Sequence, residues 1–153
     1  KKLSISGGDI NVYAYDDAIS ATEQLTIGNG TVYTYSSAND GIDVNGTLTI
    51  DGGTITAIGG QVPEGGIDVD VNGKFMINGG TVVALGGMME QQPDAAGKQK
   101  SVIVNNLKIN KGDKLVAKDA NGKEIIAIAS PRTFSESSIC ISATGIASVE
   151  KAE

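Results

Sequence analysis

The sequence predicts an all-β solenoid: a parallel β-helix with three strands per coil and about 22 residues per coil, closed by a C-terminal β-hairpin cap. The first observation behind this is a repeat. Leu3-Ser-Ile-Ser-Gly-Gly8, Leu25-Thr-Ile-Gly-Asn-Gly30, Leu48-Thr-Ile-Asp-Gly-Gly53 and Phe75-Met-Ile-Asn-Gly-Gly80 are near copies whose last glycines lie 22, 23 and 27 residues apart. The second is alternation, because each repeat contains three apolar/polar period-two segments separated by turn residues. The third is composition. Aromatics are only 4% of the chain and Gly is 21 of 153 residues, a supply of small stackable side chains that suits a coil core better than a bulky sandwich core.

The first segment of each coil follows the glycines: Asp9-Ile-Asn-Val-Tyr-Ala-Tyr15, Thr31-Val-Tyr-Thr-Tyr35, Thr54-Ile-Thr-Ala-Ile58 and Thr81-Val-Val-Ala-Leu85. The second is Asp17-Ala-Ile-Ser-Ala21, Asp40-Gly-Ile-Asp-Val44 and Gly66-Ile-Asp-Val-Asp-Val71. The third is the Leu-Thr-Ile stretch itself, with Val102-Ile-Val104 read as a fifth copy. Aligning the copies predicts inward columns: Ile10, Val32, Ile55 and Val82; Val12, Thr34, Ala57 and Ala84; Ile19, Ile42 and Ile67; Leu25, Leu48 and Phe75; Ile5, Ile27, Ile50 and Ile77. Rungs of such a stack lie roughly 4.8 Å apart, so like touches like. The glycines suit sharp turns at positive φ. A hairpin-linked barrel would need tight two-residue turns at every junction, and these are absent.

Residues 1–104 are therefore assigned to the coils, with 86–97 as an irregular loop among them, and 105–153 to a cap packed on the same solenoid. Within the cap, Lys114-Leu-Val-Ala-Lys118 and Lys123-Glu-Ile-Ile-Ala-Ile128 flank Asp119-Ala-Asn-Gly122, a strong hairpin signal. Ser138-Ile-Cys-Ile-Ser142 reads as a last strand, and the whole segment is expected to cover the open C-terminal end of the stack. Its Cys140 reads as a buried free thiol.

No run is long enough to span a bilayer and no signal peptide is visible. The chain opens inside a repeat unit at Lys1-Lys2-Leu3 and reads as a mature or trimmed fragment, with an export signal and earlier coils expected upstream. The net charge of −6 divides unevenly: residues 1–97 hold 3 basic and 12 acidic side chains, residues 98–153 hold 9 and 6. An acidic coil region repels nucleic-acid phosphates and favours cations.

The acidic residues fall in a row. Asp17, Asp40, Asp43, Asp68 and Asp70 project outward on the second segment beside inward Ile19, Ile42 and Ile67, with Asp16 and Asn39 just before the turn. Asp43 faces either Asp68 or Asp70, depending on how the longer third coil is registered. Either way, carboxylates on adjacent rungs destabilise a sheet unless they are solvated, protonated or bridged by a cation. Calcium, which accepts several oxygens in flexible geometry, suits such a row, and a merely solvated acidic face is the alternative. Tyr13 and Tyr35 share an outward column with Ile58 and Leu85, and Tyr33 and Tyr15 stand nearby. Exposed tyrosines stack on sugar faces, which makes Tyr13, Tyr33 and Tyr35 the candidate sugar-binding residues. Plain cross-rung packing, or cover from a missing N-terminal segment, is the alternative and the slightly favoured reading.

Two sequons, Asn29-Gly-Thr31 and Asn45-Gly-Thr47, sit where turns call for Asn-Gly anyway. Catalysis has little support. The chain has no His, its only arginine, Arg132, belongs to the cap, and the Asp16-Asp17 pair reads as part of a turn rather than an acid/base pair for glycoside cleavage.

Asn39-Asp-Gly-Ile-Asp-Val-Asn-Gly46 followed by Leu-Thr-Ile-Asp-Gly-Gly-Thr-Ile55 resembles the secreted bacterial carbohydrate-binding domains that have a right-handed parallel β-helix like that of pectate lyases. Gly66-Ile-Asp-Val-Asp70, Phe75-Met-Ile-Asn-Gly-Gly-Thr-Val82, the exit Gly86-Gly-Met-Met89, the Asp-x-Asn-Gly hairpin and the Ser-Ile-x-Ile-Ser strand follow in the same order, so the likeness runs over essentially the whole chain. The resemblance implies a secreted or cell-surface, calcium-binding, non-catalytic module for plant cell-wall polysaccharide, cellulose-like or polygalacturonate-like. Its motif aspartates map onto Asp40, Asp43, Asp68 and Asp70. The first copy departs from the motif at Ser20, the third departs at Gly65, and residues 148–153 lack the family's tyrosine-containing closing strand. A cell-surface spacer or adhesin is the alternative function, and a lyase or hydrolase of acidic polysaccharide a more distant one.

Overall fold

A computed structural model describes residues 1–152. The first coil contributes β1 (Lys2–Ile5), β2 (Asp9–Ala14) and β3 (Ile19–Ala21). The second contributes β4 (Gln24–Ile27), β5 (Thr31–Ser36) and β6 (Ile42–Val44), and the third β7 (Thr47–Ile50), β8 (Thr54–Ile58) and β9 (Ile67–Val69). A fourth coil supplies β10 (Lys74–Ile77) and β11 (Thr81–Gly86). The remainder holds β12 (Ser101–Val104), β13 (Lys114–Asp119), β14 (Glu124–Ala129), β15 (Ser138–Ser142) and β16 (Ile146–Lys151). No helix occurs among the described residues.

Corresponding strands of successive coils pair in parallel and form the walls of a β-solenoid. One wall is β1-β4-β7-β10, a second is β3-β6-β9, and the third contains β2-β5-β8-β11. The register matches the sequence columns residue for residue: Ile10, Val32, Ile55 and Val82 stack, as do Ile19, Ile42 and Ile67, and Leu25, Leu48 and Phe75. Most of these side chains are fully enclosed in one inner core. Strands of three or four residues have little stability alone; here each is held by like residues above and below, and a fully buried Leu or Ile contributes about 1.5–3 kcal/mol.

The repeated glycine at each coil corner takes positive φ: 93° at Gly8, 102° at Gly30, 92° at Gly53 and 82° at Gly80. The corners also abut. A Cβ at Gly53 would lie 2.7 Å from the Gly30 carbonyl oxygen. Both conditions exclude a larger residue.

Beyond the fourth coil the structure departs from the sequence expectation. Ser101–Val104 is not a fifth copy of the Leu-Thr-Ile wall. β12 lies at the end of the third wall, separated from β11 by β15, which runs antiparallel to both. The open edge of the Leu-Thr-Ile wall is met instead by the irregular stretch that follows β11, through Asp94 N–H to the Phe75 carbonyl (2.7 Å) and Gln99 N–H to the Ile77 carbonyl (3.1 Å).

The hairpin β13–β14 forms as expected, and a further strand, β16, that the sequence does not predict pairs with β13. The cap segment does not sit over the open end of the stack as expected: only its β15 closes an edge, by pairing with β11, and the β13-β14-β16 sheet packs against the side of the third wall. Ile58, Val83 and Leu85 on the outer face of the third wall, with Ile139 and Ile141 of β15, bury against Ile109, Leu115, Ala117, Phe134, Ile146 and Val149 as a second core. The third wall is thus apolar on both faces at its C-terminal end. Cys140, on β15 between Ala84 and Ile103, points into the inner core, and burial pushes its thiol up to about 12.

Candidate metal centre

The acidic row is built by the β3-β6-β9 wall and the turns that enter it. Ser20, Asp43 and Asp68 occupy one cross-strand position, flanked by the inward pairs Ile19/Ala21, Ile42/Val44 and Ile67/Val69. The inward isoleucines and valines fix the parity of these short strands, so the middle residue of each must face away from the core. This resolves the register: Asp43 faces Asp68, while Asp70 lies past β9 and accepts the Asn72 N–H of its own turn (2.8 Å). Ser20 Oγ donates to Asp43 Oδ2 (3.3 Å), so the coil without the second acid supplies a hydroxyl at the same place.

Asp40 enters from the turn before β6. The sequence reading placed it with the outward residues, but its side chain is 6% exposed. Its Oδ1 accepts the Gly65 N–H at 2.6 Å. Asp40, Asp43 and Asp68 each bring a carboxylate oxygen to within 4.8 Å of the others. Asp68 Oδ1 is buried and has no hydrogen-bond partner. Among the described residues, ion pairs involve Glu23, Glu124, Glu150 and Asp113, and none reaches this group.

Such crowding makes ionisation costly. Burial, then the charges of Asp68, Glu64 and Asp17, raises Asp40 to about 7 against the opposing Gly65 hydrogen bond. Burial, then Glu90, Asp43, Glu64 and Asp17, raises Asp68 to about 6. Asp43 is raised by burial and by Asp70, and Asp17 by burial and by Asp43 and Asp16. Glu64 and Glu90 did not stand out in the sequence. They come from the loops at 59–66 and 86–97 that widen the third and fourth coils, and only the proximity of those loops to β9 could have pointed to them.

The other sequence candidates are placed less centrally. Asp17 Oδ1 accepts the Asp40 N–H (3.1 Å) and so braces the turn. Asp16 is exposed and accepts from the Asn39 amide, so these two residues satisfy one another across the first two coils. Both Asp16 and Asp17 lie in the turn between β2 and β3.

The Asp40, Asp43 and Asp68 group fits a divalent cation held by oxygen. Calcium–oxygen distances of about 2.3–2.6 Å let two ligands of one ion stand up to about 5 Å apart, and the 4.8 Å limit lies within that. The buried, unpartnered Asp68 Oδ1 is an oxygen of the type a cation would take.

The tyrosines occupy the neighbouring wall. Tyr13 pairs with Tyr35 and Ile58 in one outward column, as aligned from sequence, and Tyr33 belongs to the column of Asn11 and Thr56. Tyr13 and Tyr15 are 71% and 80% exposed. Tyr33 and Tyr35 are half-buried, because both pack against the second core. The Tyr13 ring lies 5.6 Å from that of Tyr33 and 6.1 Å from that of Tyr35, so cross-rung aromatic packing is present. Two open clefts of about 450 and 510 Å³ lie elsewhere, along 92–103 and between Lys98–Lys100 and the 143–147 turn.

No family model, curated protein or solved structure matches this chain.

Proposed function

We propose that this chain is an extracellular, non-catalytic polysaccharide-binding module of the calcium-dependent β-helix kind that its motifs resemble. Asp40, Asp43 and Asp68 hold calcium, and the ion bridges to carboxylates or hydroxyls of an acidic or neutral plant-type glycan. The observation that carries this reading is the convergence of those three carboxylates, without a cationic side chain in ion-pair contact, on two adjacent coils. A stack that brings buried like charges together costs stability unless something neutralises them. The exposed Tyr13 and Tyr15 support the glycan part, since Tyr15 immediately precedes the turn that carries Asp16 and Asp17 into the acidic wall.

A second reading has an observation of its own. Tyr33 and Tyr35 are covered by the cap, which leaves a narrow aromatic surface and suits a cell-surface spacer that calcium merely stiffens. Co-sedimentation with insoluble polygalacturonate and with cellulose, in calcium and in chelator, separates the two. A glycan module is retained in calcium and released by chelator; a spacer stays in the supernatant under both conditions.

A further inference from the structure

Arg132, the only arginine of the chain, bridges the cap to the two turns that build the acidic group. Its Nη1 donates to the carbonyl oxygens of Ser36 (3.0 Å), Ser37 (3.2 Å) and Gly59 (3.2 Å). Its guanidinium carbon lies 5.6 Å from the ring centre of Tyr35 and 5.5 Å from that of Phe134, a packed site for a planar cation. Charge-assisted bonds of this kind are roughly twice as strong as neutral ones.

Both turns lead directly to Asp40. In the first, Ser36 Oγ donates to the Asp16 carbonyl (2.8 Å) and accepts the Asn39 N–H (2.9 Å), which sets the entry to Asp40. In the second, Gly59 and Gly65 abut so closely that a Cβ at Gly59 would lie 1.8 Å from the Gly65 carbonyl oxygen. Holding Gly59 therefore holds Gly65, whose N–H binds Asp40 Oδ1. The Gly60 N–H to Asn39 carbonyl bond (2.8 Å) ties the turns to each other, and Gln61 Nε2 to the Thr133 carbonyl (2.8 Å) ties the second turn to the cap beside Arg132.

We propose that Arg132 is the positioning residue of the cation site: by gathering the Ser36, Ser37 and Gly59 carbonyls it fixes the Asp40 turn and its Gly65 amide partner in the arrangement the ion requires. The inference rests on the calcium reading above. It adds that a residue of the cap, far along the chain and not itself a ligand, is coupled to the ion. Coupling of this kind is reciprocal, so calcium must in turn tighten the Arg132 contacts.

The test has two parts. Calcium is titrated calorimetrically into the unaltered chain, Arg132→Met and Arg132→Lys. Direct outer-shell partners of ligands are worth about 10–100-fold in metal affinity. Arg132 acts one step further out, so Arg132→Met is expected to bind calcium several-fold, up to about tenfold, more weakly. Arg132→Lys keeps the positive charge without the planar, stacked guanidinium and is expected to recover only part of the loss. In parallel, the single arginine of the unaltered chain gives one Nε–Hε resonance in a nitrogen–proton NMR spectrum. Calcium is expected to shift it and slow its exchange with solvent, an outcome independent of whether Arg132→Met folds. Wild-type calcium affinity in Arg132→Met, or a resonance that calcium leaves unmoved while calorimetry shows binding, overturns the positioning role alone. Absence of calcium binding by the unaltered chain overturns the site reading and this inference together.

Discussion

Asp43 stands directly opposite Asp68 across β6 and β9, so side chains distant in sequence become nearest neighbours on one wall. The pairing follows from the solenoid register and not from local attraction, which is why it persists although the two charges repel. Asp40 joins them from the preceding turn, and the resulting group dominates the chemistry of this face.

The first expected consequence concerns pH. Asp40 and Asp68 titrate at about 7 and about 6 in the folded chain, well above the ordinary aspartate value of 3.8. The folded protein therefore holds protons that the unfolded chain has already released, and stability falls as pH rises between about 4 and 7. Glu23 and Asp113 are shifted the other way, but both are solvated and act weakly. Metal-free protein should melt several degrees higher at pH 5 than at pH 8, with about 2–4 °C for each kcal/mol. Added calcium should erase the difference at pH 8, and its affinity should fall as pH drops below about 7. A melting temperature that rises steadily from pH 5 to 8 without metal would count against the buried acidic group.

The coil corners give a test of the fold itself. Gly53 combines φ of 92° with a close approach to the Gly30 carbonyl, whereas Gly7 has open space around its Cβ position. Gly53→Ala is expected to destabilise by about 1–3 kcal/mol and Gly7→Ala to leave chemical denaturation nearly unchanged. Equal effects would contradict stacked corners.

Cys140 is fully enclosed and its thiol is pushed up to about 12 by burial. A thiol reagent at pH 8 should leave it unmodified in the native protein and label it completely after unfolding. Rapid native labelling would mean that β15 is not seated between β11 and β12.

The tyrosines should separate by how far each is packed. Tyr15→Ala removes an exposed ring and is expected to weaken retention on polysaccharide while leaving the melting temperature within about a degree or two. Tyr13→Ala should weaken retention and, by losing its contacts with Tyr33 and Tyr35, also lower the melting temperature by about 2–4 °C. Tyr35→Ala strips a ring packed under Arg132 and the second core, and is expected to cost about 1–3 kcal/mol of stability.

The columns Ile10–Val82, Ile19–Ile67 and Leu25–Phe75 were legible because a solenoid converts sequence period into spatial stacking, so aligning copies aligns neighbours. The Asp43–Asp68 pairing was legible to within one alternative. The extra residues of the third coil sit before β9, a length difference that sequence alone does not locate. The placement of β12 and β15 was not legible, since Val102-Ile-Val104 and Ile139-Cys-Ile141 carry no mark of strand direction or partner. The second core does leave a mark in the sequence: β11 reads Val-Val-Ala-Leu without alternation, as a strand buried on both faces does. Arg132 could not be assigned a role from sequence, because its partners at Ser36, Ser37 and Gly59 are brought to it only by the cap folding back.

The most direct measurement of the central claim is a calcium titration by calorimetry of the unaltered chain beside Asp43→Asn/Asp68→Asn, with folding of both checked by circular dichroism. The account predicts saturable binding by the unaltered chain and none by the double variant, which should also be the more stable of the two without metal. Equal calcium binding by both proteins, or no binding by either, would contradict it.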